Sequence, residues 1–210
     1  MDEQERSDHW DDRFGSRAEA DLSWFEADPA LSFRLVTAHA RPDEPVLDVG
    51  AGLSRLADRL IAAGYGQVTI LDVSAVALEK VRARIGPTPA LRTIRADVTR
   101  WVPDARWALW HDRAVFHFLT SPDDRAAYVA AMDRALAPGG TAILMTFAED
   151  GPGTCSGLPV RRWSPEALAA EIARLAPGRF SIAGSARHLH RTPGGLTQPF
   201  GVTVLRKAAA

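Results

Sequence analysis

One stretch constrains this 210-residue chain more than any other: Pro45-Val-Leu-Asp-Val-Gly-Ala-Gly-Leu-Ser-Arg-Leu56. A short apolar run (Val46, Leu47, Val49), broken by the single carboxylate Asp48, meets Gly50-Ala51-Gly52. Beyond the turn, Leu53, Leu56, Leu60 and Ile61 are spaced for one face of a helix. Strand, glycine turn and helix in that order open a βαβ unit. Glycine allows the backbone to approach a ligand closely, and a helix start aims free N–H groups back at the turn. The pattern predicts an α/β, doubly wound, mostly parallel sheet with a ligand crevice at the carboxyl ends of its strands.

What the turn lacks narrows the ligand. A dinucleotide fingerprint carries a third glycine, and Arg55 stands in its place. The next apolar run, Gln67–Leu71, ends in Asp72, about 20 residues beyond Gly50, where a carboxylate accepts from ribose hydroxyls. A further run, Leu91–Ala96, closes on Asp97. Three acids at three successive strand ends suit a ligand that offers an amine, a ribose and an adenine amino group. A pyrophosphate beside Asp48 would be repelled at close range.

These residues resemble the class I S-adenosylmethionine-dependent methyltransferases. LDVGAGLS is similar to the first cofactor motif of that family, ILDVS to the second, and the ADV at 96–98 to the third. LAPGGTAILMTF at 136–147 resembles the turn and strand after the fourth crossover. The resemblance covers residues 40–150 well and the ends loosely. It implies a seven-stranded sheet with an antiparallel edge hairpin and helices on both faces. It also implies S-adenosyl-L-methionine as cofactor: Gly50, Ala51 and Gly52 against the methionine part, Asp48 near its amino group, Asp72 and Val73 at the ribose, Asp97 and Val98 at the adenine. The family's usual third glycine is replaced by Leu53-Ser54, which leaves the helix start less permissive.

Composition excludes several classes. A net charge of −1 gives no electrostatic footprint for nucleic acid. One cysteine, Cys155, rules out a disulfide framework or a cysteine-rich metal site, and no metal-ligand set is visible in the spacing. No apolar run approaches membrane-spanning length, and the acidic amino terminus is no signal peptide, so a cytoplasmic protein is expected.

Along the chain, residues 1–39 are expected to form an amino-terminal helical lid and 40–210 the Rossmann-like part of a single domain. Residues 1–8 read as a frayed charged tail. Trp10, Phe14, Trp24 and Phe25 read either as a lid over the crevice, with Trp10 touching cofactor, or as plain packing. Asp28 and Pro29 are expected to cap and begin a helix to His39. The helix from Leu53 should stop at Gly64, and Ser74–Ile85 is an amphipathic helix stopped by Gly86-Pro87. A fourth strand is expected over Arg106–Trp110, a helix over 123–136, a fifth strand over 141–147, and an edge hairpin from 180–188 and 200–205.

The polar residues after strand four, His111, Asp112 and Arg113, stand where family resemblance places the transferred methyl. Neutral His111 can take a proton from an acceptor, can contact the cofactor, or can donate to a backbone carbonyl while Asp112 caps the next helix. His117 reads as packing. The glycine- and proline-rich loop 148–160 is expected to contribute to the acceptor pocket, with Cys155, Ser156 and Arg161 or Arg162 as contacts. Arg187, His188, His190 and Arg191 read as a small positive patch, either solvated surface or an attraction for an anionic acceptor. The expected activity is methyl transfer from S-adenosylmethionine to a small molecule, with a protein lysine second. An NAD(P)-dependent oxidoreductase and a non-catalytic cofactor-binding module are the competing readings.

Overall fold

The computed structural model describes residues 2–209. Helix α1 (Glu3–Ser16) leads to a 3-10 turn at Glu19–Asp21 and to α2 (Ala30–His39). Strands and helices then alternate: β1 (Val46–Val49), α3 (Leu56–Ala62), β2 (Val68–Asp72), α4 (Ala75–Ile85), β3 (Leu91–Arg95) and β4 (Trp107–Arg113). A 3-10 turn at Phe116–Phe118 precedes α5 (Pro122–Ala135) and β5 (Leu136–Phe147). A two-residue-arm hairpin, β6 (Thr154–Cys155) and β7 (Leu158–Pro159), is followed by α6 (Pro165–Leu175), β8 (Phe180–Arg191) and β9 (Thr197–Lys207).

Seven strands form one sheet in the order β3-β2-β1-β4-β5-β9-β8. The pairings from β3 through β5 are parallel, whereas β9 runs antiparallel to β5 and to β8. Strand order therefore reverses between β1 and β4, which is the switch point where doubly wound sheets bind ligands. Val46 and Leu109 join one buried cluster with α2, α3 and α4, while Leu47, Val49 and Trp110 join a second with α5 and α6. Each central strand is buried on both faces, so it reads as an apolar run rather than an alternation.

Local chemistry fixes the boundaries. Ser74, Ser121 and Ser164 accept from backbone N–H groups in the first turns of α4, α5 and α6, and Pro122 and Pro165 open the latter two. Gly64 and Gly86 end α3 and α4 at φ of 90° and 79°. Three expectations fail. Residues 3–8 are helical rather than frayed, because Asp2 and Glu5 form a reciprocal capping box. Asp28 caps nothing: α2 starts at Ala30 behind Pro29, and Asp28 pairs with Arg59 instead. Strand β4 continues through His111, Asp112 and Arg113, since its parallel neighbours β1 and β5 supply ladder partners there.

Candidate cofactor cleft

At the carboxyl ends of β1, β2 and β4 lies a cavity of about 390 Å³, within the ~300–1,000 Å³ typical of small-molecule sites. The glycine turn forms its floor. Gly50 has φ of 60°, and a Cβ placed there would lie 2.0 Å from Val115 Cγ2. Gly52 has φ of 51°, and a Cβ there would press on Phe14 at 2.9 Å. Only glycine fits both the backbone and the space.

The strand-end acids behave differently from one another. Asp72 Oδ2 accepts from Gly52 N–H at 2.7 Å and Oδ1 from Ser74 N–H at 2.8 Å. Each oxygen keeps a second acceptor site. Burial pushes the Asp72 carboxyl up to about 6, against the pull of those two backbone bonds. Asp97 is more fully engaged: Oδ1 accepts from the Thr99 N–H and hydroxyl, and Oδ2 from Arg6 at 2.9 Å. Asp48 Oδ1 meets His111 Nδ1 at 2.7 Å, while its Oδ2 is buried with no partner. With the carboxylate oxygen as acceptor, His111 donates from Nδ1 and directs Nε2 away from Asp48. That Nε2 is also buried and unpartnered, and both residues line the cavity.

The residues following His111 divide their work. Asp112 faces away from the cavity. It accepts from Val115 N–H at 2.8 Å, Phe116 N–H at 3.0 Å and the Tyr128 hydroxyl at 2.5 Å. It is the cap of the next turn, and burial raises its carboxyl to about 6. Arg113, next along the strand, turns back into the cavity wall and donates Nη1–H to Trp24 O at 2.9 Å. Glu26 lies 3.1 Å from Arg113 Nη2 and also bonds His190 at 3.2 Å. His190 and Arg113 hold Glu26 below the usual carboxylate range although burial pushes it upward.

Helix α1 and the segment after it roof the cavity with Trp10, Phe14, Trp24 and Phe25. These rings pack on one another: Trp10 stacks on Phe14 at 5.6 Å and meets Phe118 edge-on at 5.3 Å. Polar ties hold the roof. Arg6 spans Asp97 and Asp124, Asp11 accepts from the Ser74 hydroxyl, and Arg13 donates to Ser156 O. Arg55, in the missing glycine's position, pairs with Glu19 of the same segment.

Of the sequence-predicted site residues, Asp48, Gly50, Ala51, Gly52, Asp72, Val73, Asp97, Val98, His111 and Trp10 all line this one cavity. Cys155 lines it too, with its thiol pushed up to about 11 by burial. Arg161 and Arg162 do not: Arg161 packs over Trp163, and Arg162 reaches Gly151 O. The positive patch is corrected as well, because His190 is buried against Ser23 and Glu26, and Arg187 pairs with Asp150. His117 is buried packing, its imidazole lowered to about 3 by desolvation. The sequence reading missed Arg6 and Glu26, whose partners lie far along the chain and carry no local signal. Among the described residues, no group of three His, Cys, Asp or Glu side chains suits a metal, and no helix is long and apolar enough to cross a membrane.

Known proteins sharpen the picture. Residues 46–140 match the family model described as a methyltransferase domain. A Burkholderia thailandensis 1,6-didemethyltoxoflavin-N1-methyltransferase, solved with its namesake compound and S-adenosylhomocysteine, superposes with a TM-score of 0.73. The two are 23% identical, over 99% of this chain and 91% of that one. This is the class I S-adenosylmethionine-dependent methyltransferase fold. Curated relatives with sequence similarity include methyltransferases of two kinds. A Mus musculus "eEF1A lysine and N-terminal methyltransferase" is 26% identical over 62% of this chain. A Sinorhizobium medicae (strain WSM419) "Trans-aconitate 2-methyltransferase" is 33% identical over 48% of it. The chain spans 19% of the first relative's length and 37% of the second's. Within the methyltransferase fold, the cavity sits at the switch point between β1 and β4.

Proposed function

We propose that the chain is a methyltransferase that uses S-adenosyl-L-methionine. The observation that carries this reading is Asp48, a cavity-lining residue whose carboxylate meets His111 through one oxygen and keeps the other buried without a partner. A buried carboxylate oxygen without a partner is costly, and an ammonium group satisfies it where a pyrophosphate would not. Asp72, Asp97 and the glycine turn complete a wall complementary to the remainder of the cofactor. When bound, S-adenosylmethionine supplies an electrophilic methyl group on a cationic sulfur.

The chain's own residues then position and exclude water. Helix α1 and the segment through Pro29 act as the cover, with α1 tied across the cleft by Arg6 and Arg13. Asp48 fixes the His111 tautomer and leaves Nε2 as a lone pair able to take a proton from an acceptor. The favoured acceptor is a small molecule, since the aromatic roof encloses the cavity and a freely diffusing compound enters more readily than a side chain of a folded protein. The lysine methyltransferases among the relatives support a protein lysine as the second reading.

Calorimetric titration with S-adenosylmethionine, S-adenosylhomocysteine, NAD and NADP tests the cofactor. Saturable binding of the sulfur cofactors alone is expected, and saturable NAD binding without them would refute the reading. For the chemistry, His111→Asn keeps a donor toward Asp48 but no base. Turnover should fall by about 10²-fold or more, the usual contribution of general acid–base catalysis, with cofactor affinity changed far less. A turnover loss below about threefold would remove His111 from proton transfer.

A further inference from the structure

Edge strand β8 is exposed along most of its length, yet it buries His190. Both ring nitrogens of that residue engage the 23–26 segment of the cover, which has no helix or strand of its own. Nε2 meets Ser23 O at 2.8 Å, and Nδ1 meets Glu26 Oε1 at 3.2 Å. A carbonyl oxygen can only accept, so Nε2 donates. Burial pushes the Glu26 carboxyl up, but His190 and Arg113 hold it below the usual carboxylate range. Arg113 Nη2 lies 3.1 Å from the same Oε1. That oxygen is therefore ionised and also only accepts, so Nδ1 donates as well. Only an imidazolium carries both N–H groups.

Arg113 completes the grip by donating to Trp24 O at 2.9 Å. Ser23, Trp24 and Glu26 are thus bound by cations from β8 and β4, and Trp24, Phe25 and Glu26 line the cavity. The charged and titratable groups of the cluster are Glu26 from the cover, Arg113 from β4, His188 from β8 itself and Arg34 of α2. Burial lowers the His188 imidazole, so it is a poor substitute for the His190 cation. Without its second proton, His190 would lose one of its two bonds and could turn a lone pair toward the Glu26 carboxylate.

We propose that His190 is a proton-dependent clasp, which holds the 23–26 segment over the cavity as an imidazolium and releases it on deprotonation. The clasp acts on the roof, whatever the cavity binds. Closing the roof requires the second proton of His190. The closed form is therefore favoured at low pH, and its advantage is lost as pH rises through the titration of His190.

Nitrogen-15 NMR of the histidine-labelled full chain reads the ring directly, with His190 assigned from its own backbone. Both ring nitrogens should be protonated while the roof is closed. Exchange of the Phe25 N–H, which donates to Leu22 O at 2.9 Å, reads the segment. Divided by the rate of an unstructured chain at the same pH, it should rise at least about tenfold as His190 titrates, the effect of losing a bond to a charged group. In His190→Gln, whose amide can donate to only one acceptor well, the corrected rate should be high and flat with pH. Glu26→Gln should make His190 titrate at lower pH, a shift that a purely structural role would not produce. Unchanged exchange in β5 certifies that the variants are folded. A His190 ring with one bare nitrogen while Phe25 stays protected would overturn the proposal. So would a pH-dependent rise that is equal in the wild type and His190→Gln, or a His190 titration unmoved by Glu26→Gln. Should His190→Gln fail to fold, the wild-type ring state and exchange profile still decide.

Discussion

The two ends of the cavity differ in how far the protein satisfies its own polar groups. At one end, Asp72 and Asp97 are buried carboxylates held by backbone N–H groups, Thr99 and Arg6. At the other, Asp48 Oδ2, His111 Nε2 and Arg113 Nε are buried and unpartnered, and Arg113 Nη2 has only an ion pair with Glu26 at 3.1 Å. Unsatisfied buried groups cost roughly 1–3 kcal/mol each, so the second end is assembled against a local penalty that a ligand relieves. The first end recognises shape and hydroxyls on a finished scaffold. The second is where binding energy and chemistry should concentrate.

The largest effect should come from the turn shared by both ends. Gly50→Ala places a methyl 2.0 Å from Val115 Cγ2 at a φ of 60°. The left-handed conformation alone costs about 1–2 kcal/mol for a side-chain-bearing residue. Val115 is a stiff β-branched neighbour, and Asp112 pins its backbone N–H, so the wall must shift into the cleft. Cofactor affinity should drop by about a hundredfold or more, with a lowered melting temperature. Calorimetry that finds affinity within about threefold of wild type would show that the close approach is unimportant.

The next effect separates the two ends. Asp48→Asn keeps the shape but removes the charge from the unsatisfied end, and S-adenosylhomocysteine should bind at least about tenfold more weakly. Asp97→Asn should cost less affinity, because its main partners are internal. Its effect should appear instead as faster hydrogen exchange in α1, which loses the charged partner of Arg6. The comparison fails if Asp97→Asn weakens binding more than Asp48→Asn while α1 exchange is unchanged.

The same contrast explains what was legible in the sequence. The β1 turn, the Ser74 start of α4 and the acids at strand ends announce themselves within a few residues. The ten residues expected to touch cofactor line one cavity because the switch point gathers strand ends into one crevice. Helix α1 was not readable in full. It buries only Ser7 and Phe14 and is held by ties such as Arg6 to Asp97 and Lys80 to the Phe14 carbonyl. Periodicity cannot see partners that far along the chain. Strand β4 was cut short for a related reason: His111-Asp112-Arg113 looks polar, yet each side chain finds a buried partner only after β1, the 116–118 turn and the Ser23–Glu26 segment have assembled around it. Edge strand β8 hid His190 in an otherwise exposed run, and its partner Glu26 comes from the amino-terminal segment.

The smallest effect tests the finished end by pH. Burial raises Asp72 to about 6 in the folded protein, above the ordinary carboxylate near 3.9. A raised carboxyl binds its proton more tightly in the folded state. Its contribution to stability is therefore full below the unfolded value and is lost as pH rises through about 6. Cofactor binding should run the other way. Only the ionised carboxylate offers both oxygens to ribose hydroxyls, so below about 6 a proton must first be expelled. Affinity for S-adenosylhomocysteine should weaken as pH falls below that value, by up to about tenfold per pH unit for a single proton, and level off above it. Asp112 is raised to a similar value but faces away from the cavity, so it adds to the stability slope and not to the binding slope. Asp72→Asn should flatten the binding profile, at an affinity near that of the wild type at low pH. A wild-type dissociation constant that stays constant from about pH 5 to 7 would mean that Asp72 is ionised throughout or does not meet the ribose, and would level the two ends of the cavity.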